Sequence, residues 1–291
     1  MICLRRTLLA LLLVLGIAGV SNAQLFYSAS EPTQQIDLVN FNTGAVRNIH
    51  DVGNRPDSLL VRNGKILYTV SARGTLEQFD PVAKTNKVLA TFPNGGPRDM
   101  VYEPGRKSIL IALYTSARLA RYNLNTGAVT IFPSKKIGST VDGLAYDPAG
   151  NLYAVVSHNT ICQLDPNTGA ILQTLVLEAH NKVNGGDGLL YDNFTHNLWA
   201  AHDGTQGNGL IEIPLTATKP PRMGTPIFRQ TGKVHVPDGI ISDGIGNLYI
   251  GEGLQFLTQY SIPKDAIIKR VLVKGIDSPA FKSEPATSKV H

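Results

Sequence analysis

The chain has few of the residues that support redox chemistry, disulfide bonds or nucleic-acid binding. It contains two cysteines, and Cys3 lies in an N-terminal segment that we expect to be removed. Cys162 alone cannot form an internal disulfide, so we expect the fold to depend on its apolar core. The net charge of +5 is small, and no run of lysine and arginine is interleaved with aromatic residues. This composition argues against nucleic acid as a partner.

Long apolar runs and familiar catalytic motifs are also missing. No segment reaches the roughly 18 apolar residues that a transmembrane helix needs, so we expect no membrane span. The sequence lacks CxxC, HExxH and GxSxG motifs and a phosphate-binding glycine loop. These absences argue against a thiol oxidoreductase, a zincin protease, an α/β-hydrolase and a P-loop enzyme.

The first residues are typical of a secretory signal peptide. Arg5 and Arg6 provide a basic start, residues 7–20 are apolar, and small residues continue to Ala23. This order is that of a cleavable export signal. We therefore predict cleavage near Ala23, a mature chain that begins at Gln24, and a secreted or periplasmic location.

The rest of the chain consists of a repeated pattern of short strands. An Asp, an apolar run, a turn and a second apolar run recur, as in VDGLAYDPAGNLYAVV from Val141 and PDGIISDGIGNLYIGE from Pro237. A period of roughly 40–50 residues built from short strands is typical of a β-propeller with one four-stranded blade per repeat. The recurring acids are Asp57, Asp99, Asp142, Asp187 and Asp238.

The two ends of the repeat region predict how the ring closes. LFYSAS from Leu25 matches the second strand of a blade, and GIDSPAF from Gly275 supplies the missing first strand together with a sixth acid, Asp277. This closure removes an exposed sheet edge. We therefore predict an all-β, six-bladed propeller with four antiparallel strands per blade over residues 24–281. A loose tail over residues 282–291 and a monomeric state complete the prediction.

The blade phrase PDGIISDGIGNLY from Pro237 resembles the calcium-dependent phosphotriesterase superfamily, which includes gluconolactonase/regucalcin-like and NHL-repeat propellers. The resemblance covers roughly residues 24–281 and is carried by the repeated PDG-type phrases. It implies a divalent metal, commonly calcium, in the central channel and hydrolysis of an ester or lactone. Asp238 best matches the family's PDG aspartate, and Asp142 and Asp187 match it closely. The family's glutamate and asparagine ligands have no counterparts at the aligned positions, where this chain repeats Asp.

We expect the recurring acids to meet at one mouth of the channel, because each begins the innermost strand of its blade. Carboxylates brought together repel one another unless a cation compensates. Loops between the second and third strands add His158, His202 and Glu252, of which His202 and Glu252 are candidate general bases. The predicted ligands of a divalent metal, which the family resemblance implies is calcium, are Asp57, Asp99, Asp142, Asp187, Asp238 and Asp277.

Two functions fit these residues. One is a metal-dependent hydrolase that acts on a small-molecule ester or lactone at the channel mouth. The other is a non-catalytic propeller that binds an extracellular ligand or protein, with each Asp only building a turn by accepting backbone hydrogen bonds. Arg98 either neutralises the adjacent Asp99 or holds an anionic substrate. The fold does not choose between these functions, because one scaffold hosts many of them.

Overall fold

The computed structural model describes residues 24–177, 187–202, 208–229, 233–253 and 255–282. The predicted signal peptide and the predicted tail beyond Lys282 lie outside the described residues. Within these ranges, no helix is both long enough and apolar enough to cross a membrane.

Six four-stranded antiparallel sheets form the blades of a β-propeller. The strands of each blade follow, with the innermost strand first. Blade 1 contains β24 (Ile276–Phe281), β1 (Leu25–Ser30), β2 (Gln35–Asn40) and β3 (Ala45–Asp51). Blade 2 contains β4 (Pro56–Arg62), β5 (Lys65–Val70), β6 (Thr75–Asp80) and β7 (Thr85–Thr91). Blade 3 contains β8 (Pro97–Glu103), β9 (Ser108–Leu113), β10 (Arg118–Asn123) and β11 (Val129–Phe132). Blade 4 contains β12 (Val141–Tyr146), β13 (Leu152–Val156), β14 (Thr160–Leu164) and β15 (Ile171–Val176). Blade 5 contains β16 (Leu189–Asp192), β17 (Asn197–His202), β18 (Gly209–Ile213) and β19 (Ile227–Arg229). Blade 6 contains β20 (Pro237–Ser242), β21 (Asn247–Glu252), β22 (Phe256–Ser261) and β23 (Ala266–Leu272).

The ring closes through blade 1, as the sequence predicts. Strand β24 pairs antiparallel with β1, and Phe281 lies opposite Phe26. The backbone N–H of Lys282 then donates to the carbonyl of Leu25 at 3.0 Å. The last strand therefore covers the sheet edge that β1 would otherwise expose.

The core is divided into six apolar clusters, one between each pair of neighbouring blades. The middle strands are buried on both faces, so their sequences are continuously apolar; all six residues of β9, SILIAL, are buried. Outer strands such as β7 are mostly exposed. Within each blade, the strand side chains therefore change from apolar in the middle strands to polar in the outermost strand.

The Asn-Thr-Gly segments form tight turns between third and fourth strands. In blade 3 the side-chain oxygen of Asn123 accepts hydrogen bonds from the backbone of Asn125 and Thr126, both at 2.9 Å. Gly127 closes this turn with a φ of 72°, which glycine adopts without strain. These turns hold the blade together at the face opposite the channel mouth described below.

Candidate functional site

The innermost strands all begin at the same mouth of the central channel, and their pairing defines equivalent positions. Pro56 pairs with Val70 and Pro97 pairs with Leu113, so Asp57 and Arg98, which follow the two prolines, are equivalent. The pairing in the remaining blades adds four acids at this position. The resulting set, called the acidic ring below, is Asp57, Arg98, Asp142, Asp187, Asp238 and Asp277.

Asp99 lies one residue beyond the acidic ring, so its predicted equivalence with the other acids was wrong. Its carboxylate accepts hydrogen bonds from the Ser58 hydroxyl at 2.9 Å and from the backbone N–H groups of Met100 and Leu144, both at 2.7 Å. These donors belong to the inner strands of three adjacent blades, which Asp99 thereby joins. Burial raises the pKa of Asp99 to about 6, although the three hydrogen bonds oppose this shift.

Arg98 replaces an acid in the ring and lies between two of them. Its Nε is 3.7 Å from Asp57 Oδ2, and its Nη1 is 3.8 Å from Asp142 Oδ2. Its guanidinium also lies 4.4 Å from the centre of the Tyr114 ring. Both ion-pair distances are too long for hydrogen bonds. Arg98 therefore offsets part of the negative charge of the two flanking ring acids and does not pair with the adjacent Asp99.

Burial makes ionisation of three ring acids, Asp57, Asp142 and Asp277, unfavourable. Burial, followed by the charge of Asp187, raises the pKa of Asp142 well above its usual range. Burial also raises the pKa of Asp57, against the opposing effect of Arg98. For Asp277, burial and the hydrogen-bonded carboxyl of Asp238 together raise the pKa. These shifts indicate a site with too little positive charge for its carboxylates.

Three potential metal ligands converge on one side of the acidic ring. Asp142, His158 and Asp187 offer ligand atoms that all lie within 4.8 Å of one another. His158 comes from the loop between β13 and β14, and its Nε2 is 2.9 Å from the hydroxyl of Tyr114. A second partner of this kind orients a ligating imidazole. In the described part of the chain, these residues form the one group of three or more that satisfies this geometry.

Glu252, predicted as a general base, is buried and held by hydrogen bonds on both carboxylate oxygens. Its side chain is 0% exposed. Oε1 accepts hydrogen bonds from the backbone N–H of His235 at 2.8 Å and from Arg270 Nη2 at 2.9 Å. Oε2 accepts from Arg270 Nε at 3.1 Å and from the Thr258 hydroxyl. Both oxygens are engaged by two donors each, which disfavours proton transfer from a substrate or water, and the catalytic role of Glu252 stays a prediction.

His202, the other predicted base, is the last residue of β17 and lies opposite Gly209. It is 1% exposed, and it does not belong to the group formed by Asp142, His158 and Asp187. Sequence reasoning gave more weight to His202 than to His158, whereas the structure brings His158 to the acidic ring. The catalytic role of His202 stays a prediction.

The glycines that follow three ring acids allow the inner strands to approach closely. A Cβ atom on Gly143 would lie 2.3 Å from the carbonyl oxygen of Asp187, and one on Gly188 would lie 2.3 Å from that of Asp238. Gly239 is similarly close to the inner strand of blade 1. None of the three has a positive φ. The interpretation of these Asp-Gly pairs as turns was therefore wrong, since they pack strand against strand around the channel.

Below the acidic ring, the channel contains a cavity of about 250 Å³. Its lining is mostly apolar and comes from the inner strands of the blades, with Leu60, Val101, Leu190 and Ile241 among the contributors. The channel therefore changes from an acidic mouth to an apolar interior. Asp99 also lines this cavity and contributes a carboxyl group to an otherwise mostly apolar wall.

Comparisons with known proteins support the fold. Neither protein-family models nor curated proteins gave a match. Among solved structures, the chain is similar to a nidogen/laminin complex, at 14% identity and a TM-score of 0.68, covering 88% of this chain and 97% of that one. It is also similar to virginiamycin B lyase from Staphylococcus aureus, at 15% identity and a TM-score of 0.61, covering 86% and 85%. Hydrazine synthase from Kuenenia stuttgartiensis matches at 13% identity and a TM-score of 0.58, covering 84% and 85%.

At such low identity, these similarities establish the fold alone. The chain is a six-bladed β-propeller, and its neighbours include a lyase and part of a protein–protein complex. They do not confirm the resemblance to the gluconolactonase family. Function has to be argued from the site itself.

Proposed function

We propose that this protein is an exported β-propeller that binds a divalent cation through Asp142, His158 and Asp187 and hydrolyses a small ester or lactone there. The observation that carries the proposal is the environment of Asp142. This residue is 4% exposed, and its Oδ2 is buried without a hydrogen-bond partner among the described residues. A buried carboxylate oxygen without a donor costs roughly 1–3 kcal/mol or more, and a cation supplies the missing interaction.

The donor set favours a different ion from the calcium that the family resemblance implies. Calcium takes roughly six to eight oxygen ligands, whereas imidazole suits zinc and other transition metals and carboxylates suit manganese. Asp142 and Asp187 combined with His158 therefore fit Mn²⁺ or Zn²⁺ better than Ca²⁺.

Each residue of the site has a distinct task in this proposal. A bound divalent cation supplies polarisation of a carbonyl oxygen and a lowered pKa for a water molecule. Asp142 and Asp187 balance the cationic charge, and the Tyr114 hydroxyl holds the His158 ring in place. Arg98, 3.8 Å from Asp142, attracts a carboxylate of the substrate or product to the same mouth.

Non-catalytic ligand binding is the second candidate, and the position of Glu252 favours it. The carboxylate predicted to act as base accepts hydrogen bonds from four donors and is fully buried. In this case the cation would bind hydroxyl or carboxylate oxygens of a ligand without catalysing a reaction.

Metal titration tests the shared first step. We expect the chelator-treated protein to bind one Mn²⁺ or Zn²⁺ per chain in calorimetry, more tightly than Ca²⁺. Removal of an outer-sphere partner already lowers metal affinity about 10–100-fold. The Asp142→Asn and Asp187→Asn double variant removes two direct ligands, so its affinity for the metal should fall at least about a hundredfold. Asp165→Asn, in an exposed turn on the opposite face, is the matched control and should bind normally. A folded wild type that binds none of the three ions contradicts the proposal.

Activity measurements separate the two candidates. We expect the metal-loaded protein to hydrolyse members of a panel of lactones and aryl esters, and the chelator or the double variant to abolish this turnover. Glu252→Gln should retain turnover per folded molecule. Stoichiometric metal binding without hydrolysis of any panel member would instead support ligand binding.

Export is tested separately by the N-terminus of the protein recovered from the source cell. We expect the mature protein to begin at Gln24 and to be found outside the cytoplasm. Recovery of an intact Met1 terminus from the cytoplasmic fraction would refute the predicted cleavage.

A further inference from the structure

The face opposite the acidic ring carries a basic groove between blades 2 and 3. Two neighbouring cavities, of about 370 and 440 Å³, share Lys65 and Gln78 in their walls and together form one elongated depression. This depression is called the basic groove below. The basic residues that line it are Arg62, Lys65, Lys87 and Lys107.

One acid lines the basic groove among the described residues, and it is already occupied. Asp80 pairs with Lys65 and accepts hydrogen bonds from the backbone N–H groups of Val82 and Ala83, at 2.9 and 3.0 Å. The hydrogen bond from Lys65 lowers the pKa of Asp80 to about 2, so this carboxylate is ionised at neutral pH. The charge of Asp80 thus balances one of the four cations, and the groove keeps a local excess of positive charge.

The basic groove is held in shape by contacts between its own residues. The Arg62 guanidinium lies 4.0 Å from the centre of the Tyr102 ring, and Nη2 of Arg62 donates a hydrogen bond to the Tyr102 hydroxyl at 3.1 Å. Stacking of this kind fixes the orientation of the planar guanidinium fork. The groove therefore presents at least one cation in a fixed geometry, in addition to the exposed lysines at its ends.

The polar residues of the groove favour a ligand with hydroxyl groups as well as negative charges. Gln78 lies where the two cavities join, and Asn125 lines the wall contributed by blade 3. Carboxamides both donate and accept hydrogen bonds, as sugar hydroxyls require. Lys87 and Lys107 are exposed and lie in different cavities, which suits anionic groups spaced along a chain.

We propose that the basic groove binds an acidic carbohydrate chain, with sulfate or carboxylate groups paired to its lysines and arginine. An anionic membrane surface is the less suitable partner, because the cations line a concave depression, which a flat bilayer does not enter. The groove is also separate from the acidic ring. Strand β4 runs from Asp57 in the ring to Arg62 in the groove, about 16–17 Å at the rise of an extended strand.

Binding of a fluorescent heparin-derived hexasaccharide to the full mature chain tests this proposal. The test variant combines Lys87→Glu with Lys107→Asn; Asn suits the left-handed backbone at position 107, where φ is 48°. The matched control combines Lys135→Glu with Lys136→Asn, which changes the net charge equally at two exposed residues outside the groove.

We expect the wild type and the control to bind the hexasaccharide equally and the test variant to bind it about tenfold more weakly, as expected for several exposed charge contacts. Binding should weaken as sodium chloride rises from 20 to 150 mM, because salt screens these contacts. Maltohexaose, which has hydroxyls and no charge, should bind much more weakly. Equal loss in the control variant, equal binding of maltohexaose, or tighter binding to phosphatidylglycerol vesicles than to the hexasaccharide would each overturn the proposal. Chelator should leave hexasaccharide binding unchanged, since the metal site lies on the other face.

Discussion

Replacing Glu252 by alanine is expected to destabilise the protein strongly, because this carboxylate anchors three strands and the segment before β20. Loss of one partner of a buried ion pair costs about 3–5 kcal/mol. The side chain of Arg270 is 34% exposed and regains water, which reduces its share of this cost. The Thr258 hydroxyl, at 0% exposure, loses its acceptor, at about 1–3 kcal/mol for a buried group, whereas His235 is exposed and its N–H regains a hydrogen bond to water at little cost. We expect a total loss of about 3–4 kcal/mol in the free energy of unfolding.

Scanning calorimetry at neutral pH measures this effect. For a domain of this size, 1 kcal/mol shifts the melting temperature by about 2–4 °C, so Glu252→Ala should melt roughly 6–16 °C below the wild type. Glu252→Gln keeps the shape and one carbonyl acceptor, and its decrease should be smaller. Glu31→Ala is the control, because its long ion pair with Arg55, at 3.9 Å, involves an exposed partner and is worth less than about 1 kcal/mol.

The opposite pattern would refute this reasoning. If Glu252→Ala melted within about 2 °C of the wild type, which corresponds to at most about 1 kcal/mol, and lost hydrolysis of an ester or lactone, the carboxylate would be catalytic. The hydrogen bonds around Glu252 would then not describe its main role.

Three further predictions concern the acidic ring and its surroundings. Gly188→Ala should lower the free energy of unfolding by several kcal/mol in chemical denaturation, because its Cβ would meet the carbonyl of Asp238. Gly105→Ala is the control and should leave this free energy nearly unchanged, because a Cβ at position 105 would have no atom within 4 Å. Asp99 has a pKa of about 6 in the folded protein against about 3.9 in the unfolded chain, so the folded state binds more protons between these values. The free energy of unfolding should therefore fall as the pH rises from about 4 to 6 in chelator, and Asp99→Asn should flatten this slope in urea titrations. Arg98→Gln should tighten Mn²⁺ binding severalfold in calorimetry, because it removes a positive charge beside the ligands, and weaker binding would contradict the proposed position of the ion.

The fold was predictable because propeller blades repeat a local pattern. Each blade needs a buried middle strand and a tight outer turn, and segments such as SILIAL and Asn-Thr-Gly show both within a few residues. The closing strand was also visible, since GIDSPAF repeats the start of a blade. Local order of this kind is recorded in the sequence itself.

The candidate site was predictable in its location and not in its details. Matching acid to acid placed Asp99 in the ring, although Pro97 is the true counterpart of Pro56 and puts Arg98 there. Glu252 resembled a free base because its partner Arg270 follows 18 residues later, on β23, which is separated from β21 by β22 in the same blade. Such pairings arise from packing between strands, which the order of residues does not reveal.

The closing contact between Lys282 and Leu25 makes the described chain almost a circle, with 3.0 Å between the bonded backbone atoms. A short peptide could join these ends, and new ends could be opened in any exposed connection without changing which strands pair. A break at the turn around Gly150 would place the new termini on the face of the basic groove. A break near Lys135, in the connection between two blades, would place them at the acidic mouth. Circular permutation thus offers a choice of which binding face lies beside a fused probe or a solid support.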